Sequence, residues 1–390
     1  MSGGPVSRSI PYGRQCIDED DVRAVAQALR SDFLTTGPRV AEFEAAVAGR
    51  VGAAHGVAVN SGTAALHCVM HALGVGPGDE VIVPPITFAA TANSVLYCGG
   101  TPVFADVDPD TLCIDPADVE RKLSPRTRAV VGVDYAGQPC DWDALRTLAG
   151  NRGLALVADA CHALGAQDKG RPVGSLADLS VFSFHPVKHV TTGEGGMVVT
   201  SDAALAGRMR RFRSHGIDAD AGQREKGGTW RYAMIELGFN YRITDIQCAL
   251  GLSQFARLDA FLARRREIAA AYDADFAALP GVRPLAVRPG AGHAWHLYVV
   301  RVDPARREAI FGALRRAGVG VNVHYIPVHL HPFYRKTLGT AEGLCPVAEA
   351  AYETLLSLPM WPGLAGGDLT KIIRAMGDAL GDTGCGTGGL

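Results

Sequence analysis

Between residues 50 and 200, short apolar runs alternate with stretches of helical periodicity. This alternation is typical of βαβ units, which place parallel strands in one sheet and cover both faces of that sheet with helices. Seven runs are predicted as strands: Gly56–Val59, Glu80–Pro84, Pro102–Ala105, Ala129–Val133, Leu154–Ala158, Leu179–Phe184 and Gly196–Thr200. The pattern predicts an α/β protein built around a seven-stranded, mostly parallel sheet.

Six further elements are predicted on either side of this region: two helices before it and, after it, a long amphipathic helical stretch, a strand, a helix, and a strand that runs into a loop. In chain order they cover Asp18–Leu29, Pro38–Gly49, Thr244–Leu279, residues 296–302, Arg306–Ala317 and residues 319–330. The change of pattern predicts a large domain at residues 1–250, a small C-terminal α+β domain at residues 251–380 and a disordered tail at residues 381–390.

Composition limits the partners of this chain. The 38 basic and 40 acidic side chains leave a formal charge of −2, which is unlike the basic surface of a nucleic-acid-binding protein. Nine scattered cysteines without a C-x-x-C pair argue against a disulfide framework or a metal site, and favour a reducing, cytoplasmic location. No segment approaches the roughly 20 apolar residues needed to cross a bilayer, so no membrane association is expected.

The string SVFSFHPVKHVTTGEGG places Lys188 just after an apolar strand and before a glycine-rich turn. An amine at a strand exit, with a pKa that burial can change, could form an imine with an aldehyde cofactor and later carry a proton. A surface lysine in a loop has the same local pattern, since charged residues are mostly exposed. Lys188 is a candidate catalytic residue if neighbouring motifs support it.

The string LALVADACHALGA supplies the first such motif, a buried strand that ends in Asp159. A carboxylate on a rigid strand end could keep the nitrogen of a pyridine ring protonated, so that the ring acts as an electron sink. His162, three residues later, could bond the oxygen of the same ring. An aspartate in an ordinary turn and a loop histidine remain alternatives for the two residues.

A second motif is the string VAVNSGTAALHCVMHAL, where a helix follows a strand directly. Free N–H groups at a helix start form a phosphate seat, which predicts Gly62, Thr63 and Ala64 as phosphate-binding residues. Ser183, on the strand ahead of the lysine, offers a second hydroxyl. Phe88, after another strand, could stack on a flat ring. An ordinary capped helix and a core phenylalanine are the alternatives.

In this order, SGTAAL, PPITFAAT, DACHALGA, SFHPVKHVTTGEGG and ELGFNYRITDIQCALG together resemble the DegT/DnrJ/EryC1/StrS sugar aminotransferases, which are fold-type I pyridoxal 5′-phosphate enzymes. The resemblance extends from about Ile10 to Leu364. It implies a pyridoxal phosphate cofactor that Lys188 holds as a Schiff base, and a homodimer with shared active sites. It implies that Asp159 is the partner of the ring nitrogen and that Thr63, Ala64 and Ser183 bind the phosphate. It also implies that Phe88 stacks on the ring and that His162 lies beside the phenolic oxygen. Asn240 would bind the phosphate in the other subunit.

Within that family, FHPVKHVTTGEGG, ELGFNYRITDIQCALG and VNVHYIPVHLHPFYR resemble most closely the transaminases of pseudaminic acid biosynthesis. Such an enzyme aminates C4 of UDP-2-acetamido-2,6-dideoxy-β-L-arabino-hexos-4-ulose, with L-glutamate as the donor. The resemblance then places His324, Tyr325, His329 and the loop Leu34–Pro38, which includes Thr36, near the sugar nucleotide. The alternative for residues 324–332 is a loop that only packs the small domain.

Four other functions compete with this interpretation. One is a related 4-aminotransferase that makes perosamine, a bacillosamine precursor or 4-amino-arabinose. Family dehydratases carry a histidine where this chain has Lys188, which argues against that chemistry. A non-catalytic regulatory protein on the same scaffold would lack the lysine or Asp159. A nicotinamide enzyme would need a G-x-G-x-x-G motif after a strand, and none is present.

Overall fold

The computed structural model describes residues 9–150, 152–218 and 227–381. Its α-helices in these ranges are α1 (Glu19–Leu29), α2 (Pro38–Val51), α3 (Gly62–Ala72), α4 (Ala90–Tyr97), α5 (Pro116–Lys122), α6 (Trp142–Gly150), α7 (Ala203–Phe212), α8 (Asp245–Ala256), α9 (Leu258–Phe276), α10 (Arg307–Arg316), α11 (Pro332–Leu338), α12 (Pro346–Tyr352) and α13 (Gly366–Gly381).

The strands in the same ranges are β1 (His55–Val59), β2 (Glu80–Val83), β3 (Thr101–Phe104), β4 (Thr127–Val133), β5 (Ala155–Asp159), β6 (Gln167–Asp168), β7 (Arg171–Pro172), β8 (Leu179–Ser183), β9 (Gly196–Thr200), β10 (Arg283–Pro284), β11 (Ala291–Gly292), β12 (Tyr298–Arg301) and β13 (Leu355–Leu358). Short 3₁₀ helices cover Tyr135–Gly137 and Val328–Leu330.

The main sheet has seven strands in the order β1-β9-β8-β5-β4-β2-β3. Its five strands from β8 to β3 run parallel, whereas β9 is antiparallel to both β8 and β1. The predicted α/β fold with a mostly parallel seven-stranded sheet is thus confirmed, and each of the seven strands predicted for this sheet begins and ends within two residues of the observed one. Parallel strands end at one common edge, where α/β proteins bind their ligands.

A second hydrophobic core lies under the small sheet β10-β12-β13. Helices α9, α10 and α13 pack on it through buried side chains that include Tyr272, Leu314 and Met376. Ile10 belongs to this core as well, because its backbone pairs with Val319. The N-terminal segment therefore contributes to a unit otherwise made of C-terminal residues, and the domain boundary at residue 250 stays a prediction.

The strand predicted at the start of residues 319–330 is wrong. The segment forms only isolated bridges, Ile10 with Val319 and Asn322 with Ser357, because its backbone partner changes from the N-terminal segment to β13 within a few residues. No continuous ladder can form under that condition. The predicted disordered tail begins at residue 381, whereas Gly381 is the last residue of helix α13. Residues 382–390 of the predicted tail lie outside the described residues.

The predicted helical stretch Thr244–Leu279 is divided into α8 and α9 at Arg257. A capping box of Thr244 and Gln247 starts α8, which satisfies N–H groups that a helix start leaves free. The Arg257 guanidinium pairs with Asp18 and Asp21 of the first helix, and so ties that helix to the break. In the part of the chain that the structure describes, no helix is long and apolar enough to cross a membrane.

Candidate active site

Lys188 lies at the carboxyl edge of the main sheet, in the turn between β8 and β9. Its N–H donates to the carbonyl of His185 over 2.9 Å, which holds the turn. The side chain is partly buried, and burial lowers the pKa of the ammonium group from its ordinary value. Its Nζ lies 3.4 Å from Nε2 of His296. The amine is therefore enclosed by the protein and not displayed on the surface.

Asp159 is the last residue of β5, beside β8 in the sheet. The buried carboxylate accepts a hydrogen bond of 2.7 Å from the Thr91 hydroxyl and one of 3.3 Å from the N–H of Cys161. The Thr91 hydroxyl in turn lies 2.7 Å from that of Thr87. These contacts fix the carboxylate at the edge that also carries Lys188.

His162 lies three residues after Asp159 and is also buried. Its Nε2 lies 3.1 Å from the Tyr325 hydroxyl, and its ring centroid lies 4.3 Å from that of His296. Within the described ranges, Nδ1 has no hydrogen-bond partner. Burial, with the charge of Lys188 as a smaller cause, lowers the pKa of His162 well below its ordinary value. The imidazole is neutral and has one nitrogen available for a ligand.

The predicted phosphate seat forms where α3 begins. A Cβ atom built on Gly62 would lie only 3.2 Å from Cβ of Ser183, so the helix start and the end of β8 are in close contact. Among the described residues, nothing accepts the N–H groups of Gly62 and Thr63, as expected for a first helical turn. The N–H of Ala64 differs, because it donates to the capping hydroxyl of Ser61 over 3.0 Å. Ala64 could bind an anion only by giving up this cap.

Phe88 stands between β2 and α4 with 62% of its surface exposed. Its ring centroid lies 6.3 Å from that of Tyr325. Tyr325 in turn contacts His162 directly, so Phe88 is linked to His162 through this ring. An aromatic ring this exposed, beside buried polar groups, is available to stack on a ligand.

His324 and Tyr325 reach the site from the segment that precedes α11. Nδ1 of His324 lies 2.9 Å from the Ser357 hydroxyl of β13, and the Tyr135 hydroxyl donates to the His324 carbonyl. Burial, with the charge of Lys188 as a smaller cause, lowers the pKa of His324 to about 4. The segment is thus anchored on β13 and on the 3₁₀ helix that follows β4, while the Tyr325 hydroxyl contacts His162.

The structure places His329 outside this group. Its side chain is 0% exposed, and Nε2 lies 2.8 Å from the Glu349 carboxylate, next to the ring of Phe104. A substrate cannot contact a side chain that is fully enclosed and already paired. For His329 the structure favours the alternative of a packing residue, because the chain turns into a 3₁₀ helix there and directs the ring into the core.

Thr36 and Asn240 are both exposed on the surface. Thr36 has a positive φ of 55°, and the loop beside it is held by N–H groups of Gly37 and Arg39 that donate to Asp245. The carbonyl of Asn240 accepts a weak bond of 3.4 Å from Asn60, close to the seat. Within the described part of this chain, neither side chain contacts Lys188.

We use two names for the parts of this site. The sheet wall consists of Gly62, Asp159, His162, Ser183 and Lys188, which follow strand ends or begin a helix. The loop wall consists of three residues from segments without regular structure, namely His296, His324 and Tyr325. Sequence reasoning missed His296, together with Arg265 behind it, because HLYVVRV was interpreted only as a strand. A histidine at the start of a strand is the one signal that the sequence offers.

Comparison with known proteins agrees with this geometry. Residues 15–377 match the model of the DegT/DnrJ/EryC1/StrS aminotransferase family. The spore coat polysaccharide biosynthesis protein SpsC of Bacillus subtilis is 43% identical over 95% of this chain and 97% of its own. PseC of Helicobacter pylori, an aminotransferase involved in the biosynthesis of pseudoaminic acid, is 33% identical, with a TM-score of 0.89 over 95% of this chain and 99% of its own.

A third relative bears on the cofactor. Spr1654 of Streptococcus pneumoniae in its PMP-form is 33% identical, with a TM-score of 0.90 over 95% of this chain and 98% of its own, and it has also been solved in a PLP-form. The residues of this chain fit that group. The seat offers two free N–H groups, His162 has an unpartnered buried nitrogen, and Asp159 ends a strand opposite an enclosed amine.

The cofactor of this protein is pyridoxal phosphate, as the family and the PLP-form of a structural neighbour indicate. The chain belongs to the DegT/DnrJ/EryC1/StrS aminotransferase family and is a pyridoxal phosphate-dependent sugar aminotransferase.

Proposed function

We propose that this enzyme transfers the amino group of L-glutamate to C4 of a nucleotide-linked 4-keto-6-deoxy sugar. The first candidate substrate is UDP-2-acetamido-2,6-dideoxy-β-L-arabino-hexos-4-ulose, which would become UDP-4-amino-4,6-dideoxy-N-acetyl-β-L-altrosamine. The observation that carries the proposal is the enclosed Lys188 amine at the same sheet edge as Asp159 and the phosphate seat. The likeness to PseC supports the choice of sugar.

Bound in this site, pyridoxal phosphate would supply an aldehyde carbon and a ring that takes up the electrons of a breaking C–H bond. In the proposal the N–H groups of Gly62 and Thr63, with the Ser183 hydroxyl, hold its phosphate. Phe88 stacks on its ring, and Nδ1 of His162 faces its phenolic oxygen. The Asp159 carboxylate, fixed by Thr91, keeps its ring nitrogen protonated.

Lys188 carries the proton in this proposal. An amine acts as a base only when it is neutral, and burial lowers the pKa of Lys188, so a larger fraction of it is neutral near pH 7 than for an exposed lysine. Its Nζ takes a proton from Cα of glutamate as 2-oxoglutarate forms. Nζ would pass this proton to the aldehyde carbon of the bound cofactor. In the second half of the reaction Nζ would take a proton back from that carbon and deliver it to C4 of the sugar, so both halves depend on one amine.

The sugar is identified by offering the purified enzyme a set of UDP-, GDP- and dTDP-linked 4-keto sugars with glutamate. We expect one UDP-linked 2-acetamido-4-keto sugar to be aminated fastest, as followed by mass spectrometry of the nucleotide sugar. The 43% identity to SpsC favours, as a second candidate, another 4-keto sugar nucleotide used in polysaccharide synthesis. Amination of a GDP- or dTDP-linked sugar alone would reject the first candidate, and amination of none would reject the function.

We also propose a homodimer with shared active sites. The segment that leads to Asn240 exposes large apolar side chains, among them Trp230 with 81% and Leu237 with 76% of their surface exposed. Exposed apolar patches of this kind mark protein interfaces. Nearby, His71 and Arg211 both pair with Glu236, which fixes the segment on its own subunit. In the proposal Asn240 then reaches the seat of the other subunit.

Mixed dimers test the shared site. Lys188→Ala and Asn240→Ala proteins are each assayed alone and after joint refolding. If Asn240 serves the partner, a mixed dimer contains one site with both native residues, and activity rises well above that of either parent. Equal activity before and after mixing would contradict the shared site, and sedimentation as a monomer would contradict the dimer itself.

A cytoplasmic location is a further part of the proposal. The eight cysteines in the described ranges are all free thiols, and Cys385 lies outside those ranges. Free thiols are the rule in reducing compartments. Cell fractionation with an antibody against the protein would test this location, and recovery from a secreted or periplasmic fraction would contradict it.

A further inference from the structure

His296 is the one hydrogen-bond partner of the Lys188 amine within the described ranges. Its Nε2 lies 3.4 Å from Nζ, and its side chain is 4% exposed. Burial lowers the pKa of His296 well below its ordinary value, with the charge of Lys188 a smaller cause, so the ring is neutral. A neutral imidazole has one nitrogen with a free lone pair and can accept a proton donor there.

The backbone around His296 is held from two sides. The N–H groups of Ala294 and Leu297 donate to the carbonyls of Gly137 and Ala136 over 2.9 and 3.1 Å. Gly137 allows this close approach, since a Cβ atom there would lie 3.0 Å from the backbone nitrogen of His296. The imidazole is thus carried by a short segment that is fixed against the end of β4.

Arg265 of α9 holds the same segment from behind. Its Nη1 donates to the carbonyls of Trp295 and Met360 over 2.9 and 3.0 Å, and to that of His296 over 3.3 Å. The side chain is completely buried, and none of the described carboxylates pairs with it. Burying a guanidinium without a carboxylate costs free energy, which its bonds to three carbonyls offset only in part. Its position makes it a fixed support for the segment that carries His296.

An enclosed amine that carries a proton needs such a neighbour. In the proposed function, Nζ of Lys188 is an ammonium between its two proton transfers, and a buried ammonium without an acceptor is unstable. Several ionisable groups face it from the elements around it. They are Asp159, Cys161, His162, His189, His324 and Arg265, and none of them forms a hydrogen bond with Nζ in the described part of the chain.

We propose that His296 accepts a hydrogen bond from the protonated Lys188 amine and so holds Nζ in place, with Arg265 as a positioning residue that acts through His296. The mechanistic meaning of this contact rests on the proposed function. The contact itself belongs to the protein alone, so it can be tested before any cofactor is added.

The test measures the acid dissociation of Lys188 in the cofactor-free protein. Acetic anhydride acylates only neutral amines, and the fraction of Lys188 acylated at each pH is read by peptide mass spectrometry. In His296→Phe the ring remains but the acceptor is lost, so the midpoint is expected to fall by about one pH unit, the effect of one hydrogen bond to a charged group. His296→Gln keeps an acceptor and should recover at least half of that shift.

His67→Phe is the matched control, because His67 is 5% exposed, as buried as His296, and bonds Tyr241 instead of the amine. It should leave the midpoint unchanged, while Arg265→Lys should lower it by a smaller amount than His296→Phe. If His296→Phe loses its native circular dichroism spectrum, His296→Leu replaces it.

A midpoint that stays constant or rises when the acceptor is removed overturns the proposal. So does an equal fall in the glutamine variant, since loss of polarity would then explain the shift. A separate titration of wild-type protein with pyridoxal phosphate, followed by absorbance, tests the proposed function. Failure to bind the cofactor would reject that function, and the acylation midpoints would still decide the role of His296.

Discussion

The sheet wall and the loop wall of the active site are fixed by different interactions. Backbone ladders position the sheet wall: Asp159 is in register with Val133 on one side and with Val181 on the other. Single contacts position the loop wall, such as the bonds that Arg265 makes around His296. In a β-ladder many hydrogen bonds share the stabilisation, whereas the bonds that Arg265 donates around His296 all come from one side chain.

This difference suggests that the two walls have different functions. The groups that the proposed reaction requires in fixed positions, an amine and a carboxylate, lie on the sheet wall. The loop wall can change with little cost to the fold, and a family that accepts many sugars needs variation there. Substitutions in the sheet wall, and of His296 beside the Lys188 amine, should therefore reduce the rate of the chemistry. Substitutions of His324 and Tyr325 in the loop wall should mainly change how well the sugar is held.

The largest effect is expected for Lys188→Ala. Without its amine the site has no group to move the proton, and general acid–base catalysis of this kind contributes up to about 10⁴-fold. We expect kcat to fall by roughly that factor in both halves of the reaction, as measured by stopped-flow absorbance. Lys169→Ala, an exposed lysine paired with Asp143, is the control and should keep the wild-type rate. A kcat of the Lys188→Ala enzyme within tenfold of the wild-type value would contradict the proposal that this sheet-wall amine carries the proton.

Asp159→Asn comes next. The amide keeps the shape of the carboxylate but not its charge, so the cofactor still binds while kcat falls by about 10²- to 10³-fold, the usual cost of removing one electrostatic contact to a transition state. Asp134→Asn is a close control at the end of the neighbouring strand. Burial raises the pKa of Asp134 to about 7, so an amide imitates a form that this residue already adopts. A near-normal rate in Asp159→Asn would remove Asp159 from the mechanism.

The same contrast explains what the sequence could predict. The seven strands were predictable because each is a short apolar run between turn residues, and Asp159 and Gly62 were predictable because they stand at the junctions of such runs. The segment at residues 319–330 has the same apolar character but no constant backbone partner, and the periodicity of a sequence carries no information about strand partners.

The loop wall was predicted only in part. His296 and Lys188 are 108 residues apart, and no local pattern connects them. Arg265 binds backbone carbonyls, which every residue has, so its role leaves no trace in the sequence. His329 shows the opposite error, since a histidine in a motif that resembles a binding loop proved to be a partner of Glu349 in the core. Both cases depend on the packing of distant segments.

A smaller effect is expected for Gly62→Ala, which tests the phosphate seat. The new Cβ atom would lie 3.2 Å from Cβ of Ser183 and 3.4 Å from Sγ of Cys161, so one of them must move. Crowding of this kind costs about 1–2 kcal/mol, which corresponds to roughly tenfold weaker binding of the cofactor. Fluorescence titration of the cofactor-free protein measures the Kd. Gly207→Ala, in α7 with open space around it, should leave the Kd unchanged.

Tyr325→Phe should have the smallest effect, and it sharpens the comparison most. The variant loses the 3.1 Å contact with His162 but keeps the ring beside Phe88, and one neutral hydrogen bond contributes about 1 kcal/mol. We expect kcat/KM for the keto sugar to fall by about fivefold. The kcat/KM of the half-reaction with glutamate should change by less than half as much. Tyr272→Phe, whose hydroxyl bonds Pro359 in the second core, should lower the Tm without changing either half-reaction. An equal loss in both half-reactions of Tyr325→Phe would show that the loop wall serves the chemistry as directly as the sheet wall does.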